Sequence, residues 1–163
     1  MGSKQKAVIP ASHLSVLEKI LSKLSNSKIN WALTGSMNFA LQGVPVTPND
    51  IDIQTDKDGA FEIEKIFSQY ITKKVVLRST EKIKSYFGEL AVGGVKVEIM
   101  GDIQKCPPDG TWELPVNIDK YKKFVIIEKM QIPVLSLAYE YQAYKVLGRI
   151  EKAEMLKRFL QQK

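Results

Sequence analysis

Cysteine and histidine are almost missing from this sequence: Cys106 and His13 are the only two in 163 residues. A lone cysteine excludes an internal disulfide framework and any zinc site built on cysteine. A lone histidine excludes a histidine-rich metal cluster. With no histidine positioned to activate it, Cys106 reads as a small loop residue rather than a nucleophile. His13, at the start of a helical segment, reads as exposed or as a partner to the cap. Long apolar runs are missing too: nothing approaches the roughly 20 residues of a membrane span, and the N-terminus lacks a signal-peptide core. Met1-Gly2-Ser3 looks like an acylation start, but Lys6 stands where that pattern wants Ser or Thr. A cytoplasmic protein without membrane association is expected.

What is present describes a globular chain. Hydrophobic residues make up 44% and charged residues 26%, a balance that excludes a disordered polyelectrolyte. The length suits one domain, 1–163, with a real core. Lys and Arg outnumber Asp and Glu by 24 to 18, for a net charge of +6 and a pI near 9.3. That excess favours polyanionic partners such as nucleotide or RNA. A basic RNA-binding module rests on this charge alone, since no RNA-binding motif accompanies it.

Residues 1–10 are polar and basic and read as frayed. Leu14, Leu17, Leu21 and Leu24 then fall on one helical face, with Ser12 as candidate cap. After Gln54, Asp56 and Asp58 sit where a helix N-terminus wants acid, and Ile63, Ile66, Phe67 and Tyr70 continue at helical spacing. A strand is expected over 75–78, while 79–88 stays open. Glu89–Val92, Gly93-Gly94 and Val95–Met100 form a two-residue hairpin. Its second strand turns Val95, Val97 and Ile99 to the core and Lys96, Glu98 and Met100 the other way. Residues 104–117, with Pro107-Pro108-Asp109-Gly110, read as a loop. Short strands over 124–128 and 132–135 precede two C-terminal helices within 136–163, the first capped by Ser136 and ended by Gly148. The fold class is α/β (α+β): a mixed sheet with packed helices, finished by a helical hairpin.

The chemistry concentrates between Trp31 and Gln54. A short apolar strand, with Trp31 in the core, runs into Thr34-Gly35-Ser36 and a two-turn helix. A loop with two prolines then leads to Asp50-Ile51-Asp52-Ile53. Alternation puts Asp50 and Asp52 on one face, with Cα atoms about 6.6 Å apart at roughly 3.3 Å per residue. Such carboxylates can lean together over hard cations, which lie about 3.5–4 Å apart when paired for catalysis. The plain alternative is a solvated edge strand, since two aspartates about 4 Å apart repel by about 4 kcal/mol at an effective dielectric of 20. Gly35-Ser36, at a strand-to-helix turn, offers free N–H groups and close approach to a phosphate. A phosphate cradle beside a metal platform is what a nucleoside triphosphate requires.

In Gly35-Ser36, Ala40-Leu41, Gly43 and Asp50-Ile51-Asp52, the chain resembles the nucleotidyltransferase superfamily of polymerase-beta-like fold. The likeness is to its small prokaryotic members: minimal, antibiotic-modifying and toxin-system proteins. The resemblance implies a third acid on a neighbouring strand, and Glu98 matches it, with Asp102 as fallback. It implies Mg2+ or Mn2+ held by Asp50, Asp52 and Glu98, and nucleotide bound by Gly35, Ser36 and Lys145. It also implies transfer of a nucleoside monophosphate to a hydroxyl on a small molecule, a protein or an RNA. Two departures stand out. No arginine precedes Asp50, where the chain reads Pro45-Val46-Thr47-Pro48-Asn49, so either Lys74, Arg78 or, by preference, Lys145 supplies the charge, or nucleotide binds weakly. The last helix reads Glu151-Lys152-Ala153 where relatives carry Lys-Asp. Both departures favour the rival expectation, a regulatory, antitoxin-like partner that kept the fold. Trp112 either stacks on a base or anchors its loop.

Overall fold

The computed structural model describes residues 7–162; the first six residues, the larger part of the segment expected to fray, lie outside them. Helix α1 (Ala11–Leu24) starts after Pro10, not at Ser12, because proline's fixed φ suits the residue before a first turn and lacks an N–H to satisfy. Its apolar positions Val16, Leu17, Ile20 and Leu24 are buried. His13, expected exposed or capping, is buried instead. Its Nε2–H donates to the Asn49 carbonyl at 2.8 Å, tying the helix to the proline-containing loop before Asp50.

Strand β1 (Trp31–Thr34) leads directly into α2 (Gly35–Leu41), and β2 (Ile51–Thr55) into α3 (Lys57–Ile66). Asp56 caps α3 by accepting from Gly59 N–H at 2.7 Å, as its position before the helix predicts. Strands β3 (Ile71–Ser79), β4 (Ile83–Val92) and β5 (Val95–Lys105) form a long meander. The undecided stretch 79–88 is therefore mostly strand, and Gln104 and Lys105 belong to β5 rather than to a loop. Strands β6 (Lys122–Ile127) and β7 (Met130–Leu135) precede α4 (Leu137–Val146) and α5 (Ile150–Gln161), with Ser136 capping α4 through Tyr139 N–H.

All seven strands join one mixed sheet in the order β3-β4-β5-β2-β1-β7-β6. The central pair β2–β5 is parallel, as is β1–β7, while β1–β2 and the hairpins are antiparallel. Helices α1 and α3 bury Leu17, Ile20, Ile63 and neighbours with Leu33, Ile53, Val97 and Ile99 on one face. A smaller cluster joins Phe39 and Val44 to Leu137 of α4 and Leu156 of α5. Among the described residues, no helix is long and apolar enough to cross a membrane.

One irregularity in β5 controls the side facing the cleft. Tyr86 pairs with Gly101 but Lys84 pairs with Gln104, a register shift, and Asp102 takes a left-handed φ of 49° between them. A bulge inserts one residue and exchanges the faces beyond it. Before the bulge, Val97 and Ile99 face the packed helices. After it, the odd-numbered Ile103 and Lys105 turn to the opposite side, with Glu98 and Met100.

Candidate active site

A row of polar residues crosses the three central strands. Thr34 of β1 pairs with Asp52 of β2, and Asp52 pairs with Glu98 of β5. Side chains in register on adjacent strands stand side by side, so the two acids meet at one level although 46 residues separate them in sequence. Both line a cleft of about 210 Å³ between the sheet and α4, together with Thr34, Gly35 and Gln54. Asp52 and Glu98 stand in register on neighbouring strands. Burial, and then the neighbouring charges of Glu98 and Asp50, push the Asp52 carboxyl up to about 7. Asp52 Oδ1 and Gln54 Nε2 are buried and have no hydrogen-bond partner. Buried polar atoms are nearly always paired, so two orphans on the same strand face mark a place built for something further.

Gly35 is required by two constraints. Its φ is +72°, in the left-handed region, and a Cβ there would lie 2.5 Å from Asp52 Oδ2. Only a residue without a side chain lets the turn approach the acid so closely. The turn's first N–H is already engaged, since Gly35 N–H donates to Glu140 Oε2 at 2.8 Å and Thr34 Oγ1 donates to Glu140 Oε1. Glu140, on α4, is 2% exposed. Burial pushes it up to about 7 against the pull of these bonds and of Lys105. The helix N-terminus expected to hold a phosphate thus already faces an internal carboxylate, leaving Ser36, half-buried beside it, as the remaining donor of the pair.

Asp50 lies just before β2 rather than in it. Lys96 bridges it to Glu98, with Nζ 3.4 Å from Asp50 and 3.3 Å from Glu98. The hydrogen bonds that Lys96 donates, first to Glu98 and then to Asp50, raise the lysine's pKa. Asp52 and Glu98 therefore meet in the cleft, and Asp50 is joined to them through a lysine that the sequence reading passed over. Among the described residues, no three His, Cys, Asp or Glu side chains stand close enough together to hold a metal ion. Asp102 sits on the bulge and does not line the cleft.

The nominated cations lie elsewhere. Lys145 is exposed with Nζ 5.8 Å from the Tyr141 ring, and Arg78 lies over Phe87 at 4.7 Å on the outer hairpin. Lys74 is exposed on β3. The cations that do line the cleft are Lys105 and Arg149. Lys105 was hidden because the stretch 104–117 reads as a loop, and even with the strand extended, strict alternation from Val97 would assign it to the core face. Glu140 had a visible signal, an acid set among Leu137, Ala138, Tyr139 and Tyr141. Trp112 is half-buried, its ring 4.5 Å from Lys84 Nζ of β4.

The sequence profile of the aminoglycoside-2''-adenylyltransferase family matches residues 16–157. A Thermotoga maritima protein assigned as a nucleotidyltransferase, TM1012, is 60% identical, with 96% of this chain and 97% of that chain covered and a TM-score of 0.84. The lincosamide antibiotic adenylyltransferase LnuA, solved with lincomycin, superposes over 91% of this chain and 97% of its own with a TM-score of 0.55 at 15% identity. ANT(2'')-Ia, solved with adenylyl-2''-tobramycin, does so over 92% and 90% with a TM-score of 0.57 at 16% identity. At such identities these two speak for the fold alone. No protein of curated function matches the chain. With the profile spanning most of its length and the acids seated on the central strands, the chain belongs to the aminoglycoside-2''-adenylyltransferase family, and its activity is of the nucleotidyltransferase type.

Proposed function

We propose that the chain transfers a nucleoside monophosphate from a metal-bound nucleoside triphosphate, ATP by analogy with the adenylyltransferases, to a hydroxyl acceptor, as a cytoplasmic enzyme. The observation that carries this reading is the pairing of Asp52 with Glu98 across β2 and β5, beside a glycine that only a close approach requires. The donor set suits a hard divalent cation: carboxylate oxygens, one of them orphaned, where burial first and then the charges of Glu98 and Asp50 push Asp52 up to about 7. Asp52 and Glu98 would hold Mg2+ or Mn2+, with Asp50 completing the set once Lys96 lets it go; the ion when bound neutralises phosphate charge and lowers the pKa of a nearby hydroxyl.

The chain's own groups do the rest. Glu98, 25% exposed in its side chain, would accept the acceptor's proton as general base. The acceptor's hydroxyl oxygen attacks the α-phosphorus, the new O–P bond forms, and the bond to pyrophosphate breaks with its electron pair leaving on pyrophosphate. Ser36 contributes a donor to phosphate. Lys105 and Arg149 supply the positive charge that relatives take from an arginine before the Asp-x-Asp, and Lys145 serves phosphate only by moving from Tyr141. Lys96 favours the regulatory reading, since an internal cation already satisfies Asp50 and Glu98.

Thermal melts separate the two. Saturating Mg-ATP, at a hundredfold excess over its dissociation constant, should stabilise the native state by about 2.7 kcal/mol. Asp50→Asn and Asp52→Asn should lose most of that gain while melting at or above wild type in chelator. A wild type that shows no shift with any of the four common triphosphates leaves the regulatory reading in its place.

A further inference from the structure

Beside the acid cleft lies a second cavity of about 730 Å³, and Lys105, Tyr139 and Ala143 line both. Its size falls in the range of about 300–1,000 Å³ typical of small-molecule sites. The loop after β5, the turn before β6 and one side of α4 enclose it. Tyr121 and Tyr139 stack within its wall, ring centroids 4.3 Å apart and planes 21° apart. Leu114, also lining it, is 85% exposed, a large apolar side chain that the chain itself does not cover. Three charged residues line the cavity: Lys105, Lys120 and Glu113. Lys105 is buried, and its Nζ donates to the Tyr139 hydroxyl at 3.1 Å.

We propose that this cavity binds the hydroxyl acceptor, and that the acceptor has an apolar or aromatic body carrying negative charge, not the polycationic body of an aminoglycoside. The inference rests on the transfer reading above and names its substrate class. A molecule bearing several ammonium groups gains from a ring of carboxylates, whereas here two lysines oppose one exposed acid. An anionic group pairs with Lys120 at the rim. The apolar body covers Leu114 and packs against the tyrosines, where aromatic contact adds to area burial. The shared wall lets the hydroxyl reach the cleft, where it loses its proton to a carboxylate as its oxygen displaces pyrophosphate from the α-phosphorus. The chain's net charge of +6 draws the same class of ligand.

Calorimetric titration of the full chain with hydroxynaphthoate, naphthol and tobramycin tests this, with and without Mg and a non-hydrolysable ATP analogue. Hydroxynaphthoate should bind at least tenfold tighter than naphthol, and tobramycin weakest. Lys120→Ala should shrink the tenfold preference severalfold. Val146→Trp, which fills the cavity from α4, should remove binding of both aromatics. Ala138→Trp fills it from a more exposed position should the first variant fail to fold. Tightest binding by tobramycin, equal binding of naphthol and hydroxynaphthoate, or binding that survives both tryptophans overturns the proposal. Competition between hydroxynaphthoate and the ATP analogue overturns the acceptor role and marks a nucleoside subsite. A Mg-ATP melting shift without aromatic binding overturns this inference alone. Aromatic binding without that shift overturns the transfer reading, and the acceptor role with it.

Discussion

The two faces of strands β2 and β5 differ by one residue of register and by everything else. On one face Ile51, Ile53, Val97 and Ile99 are fully buried under α1 and α3. On the other, Asp52, Gln54 and Glu98 crowd charge and unpaired polar atoms under α4. Because side chains alternate, the same few residues of backbone serve both. The apolar face supplies the stability that lets the polar face keep buried acids near one another, an arrangement that works against folding and in favour of binding. A functional site of this kind is borrowed from the core behind it.

Truncating the packed face should have the largest effect. Ile53→Ala should cost about 2–5 kcal/mol of stability, read as a lowered denaturant midpoint, with transfer activity per folded molecule changed far less. If its activity falls more than its stability predicts, the two faces are not separable. Gly35→Ala attacks the polar face. A left-handed φ and a 2.5 Å approach to Asp52 Oδ2 predict a loss of about 1–3 kcal/mol and, with Asp52 displaced, about a hundredfold slower transfer.

The effect of pH should be smaller and confined to the polar face. Asp52 and Glu140 are both pushed up to about 7, whereas unfolded carboxyls titrate near 4. Between those values the folded chain keeps protons that the unfolded chain has released. Stability from these groups is therefore full below about 4 and is lost as pH rises through about 7. The wild-type melting temperature in chelator should fall from pH 5 to 8, the fall should be shallower in Asp52→Asn, and Mg should restore part of it at pH 8. Equal pH slopes in the two proteins would mean that the acids are not strained. The smallest effect belongs to Ser36→Ala, about 1 kcal/mol of nucleotide affinity by calorimetry. Unchanged affinity there would return Gly35-Ser36 to an ordinary turn.

Much of this was readable from local pattern. Alternation alone put Ile51 and Ile53 opposite Asp52, and Val97 and Ile99 opposite Glu98. Cap chemistry located the starts of α3 and α4 at Asp56 and Ser136. The Gly93-Gly94 pair marked the hairpin, and the motif between Trp31 and Gln54 pointed to the superfamily. These signals survive in one dimension because they depend on neighbours two, three or four residues away. The tertiary structure decided the rest. Sheet order set Asp52 against Glu98, since nothing local specifies which distant strand pairs with β2. The Asp102 bulge turned Lys105 from the core face to the cleft, which strict alternation cannot foresee. Packing of α4 brought Glu140 onto Gly35 N–H, placing an anion where phosphate was expected, and left Lys145 on the outside. Those choices come from long-range register and helix docking, whose energies are shared among many residues and written in no single stretch of the chain.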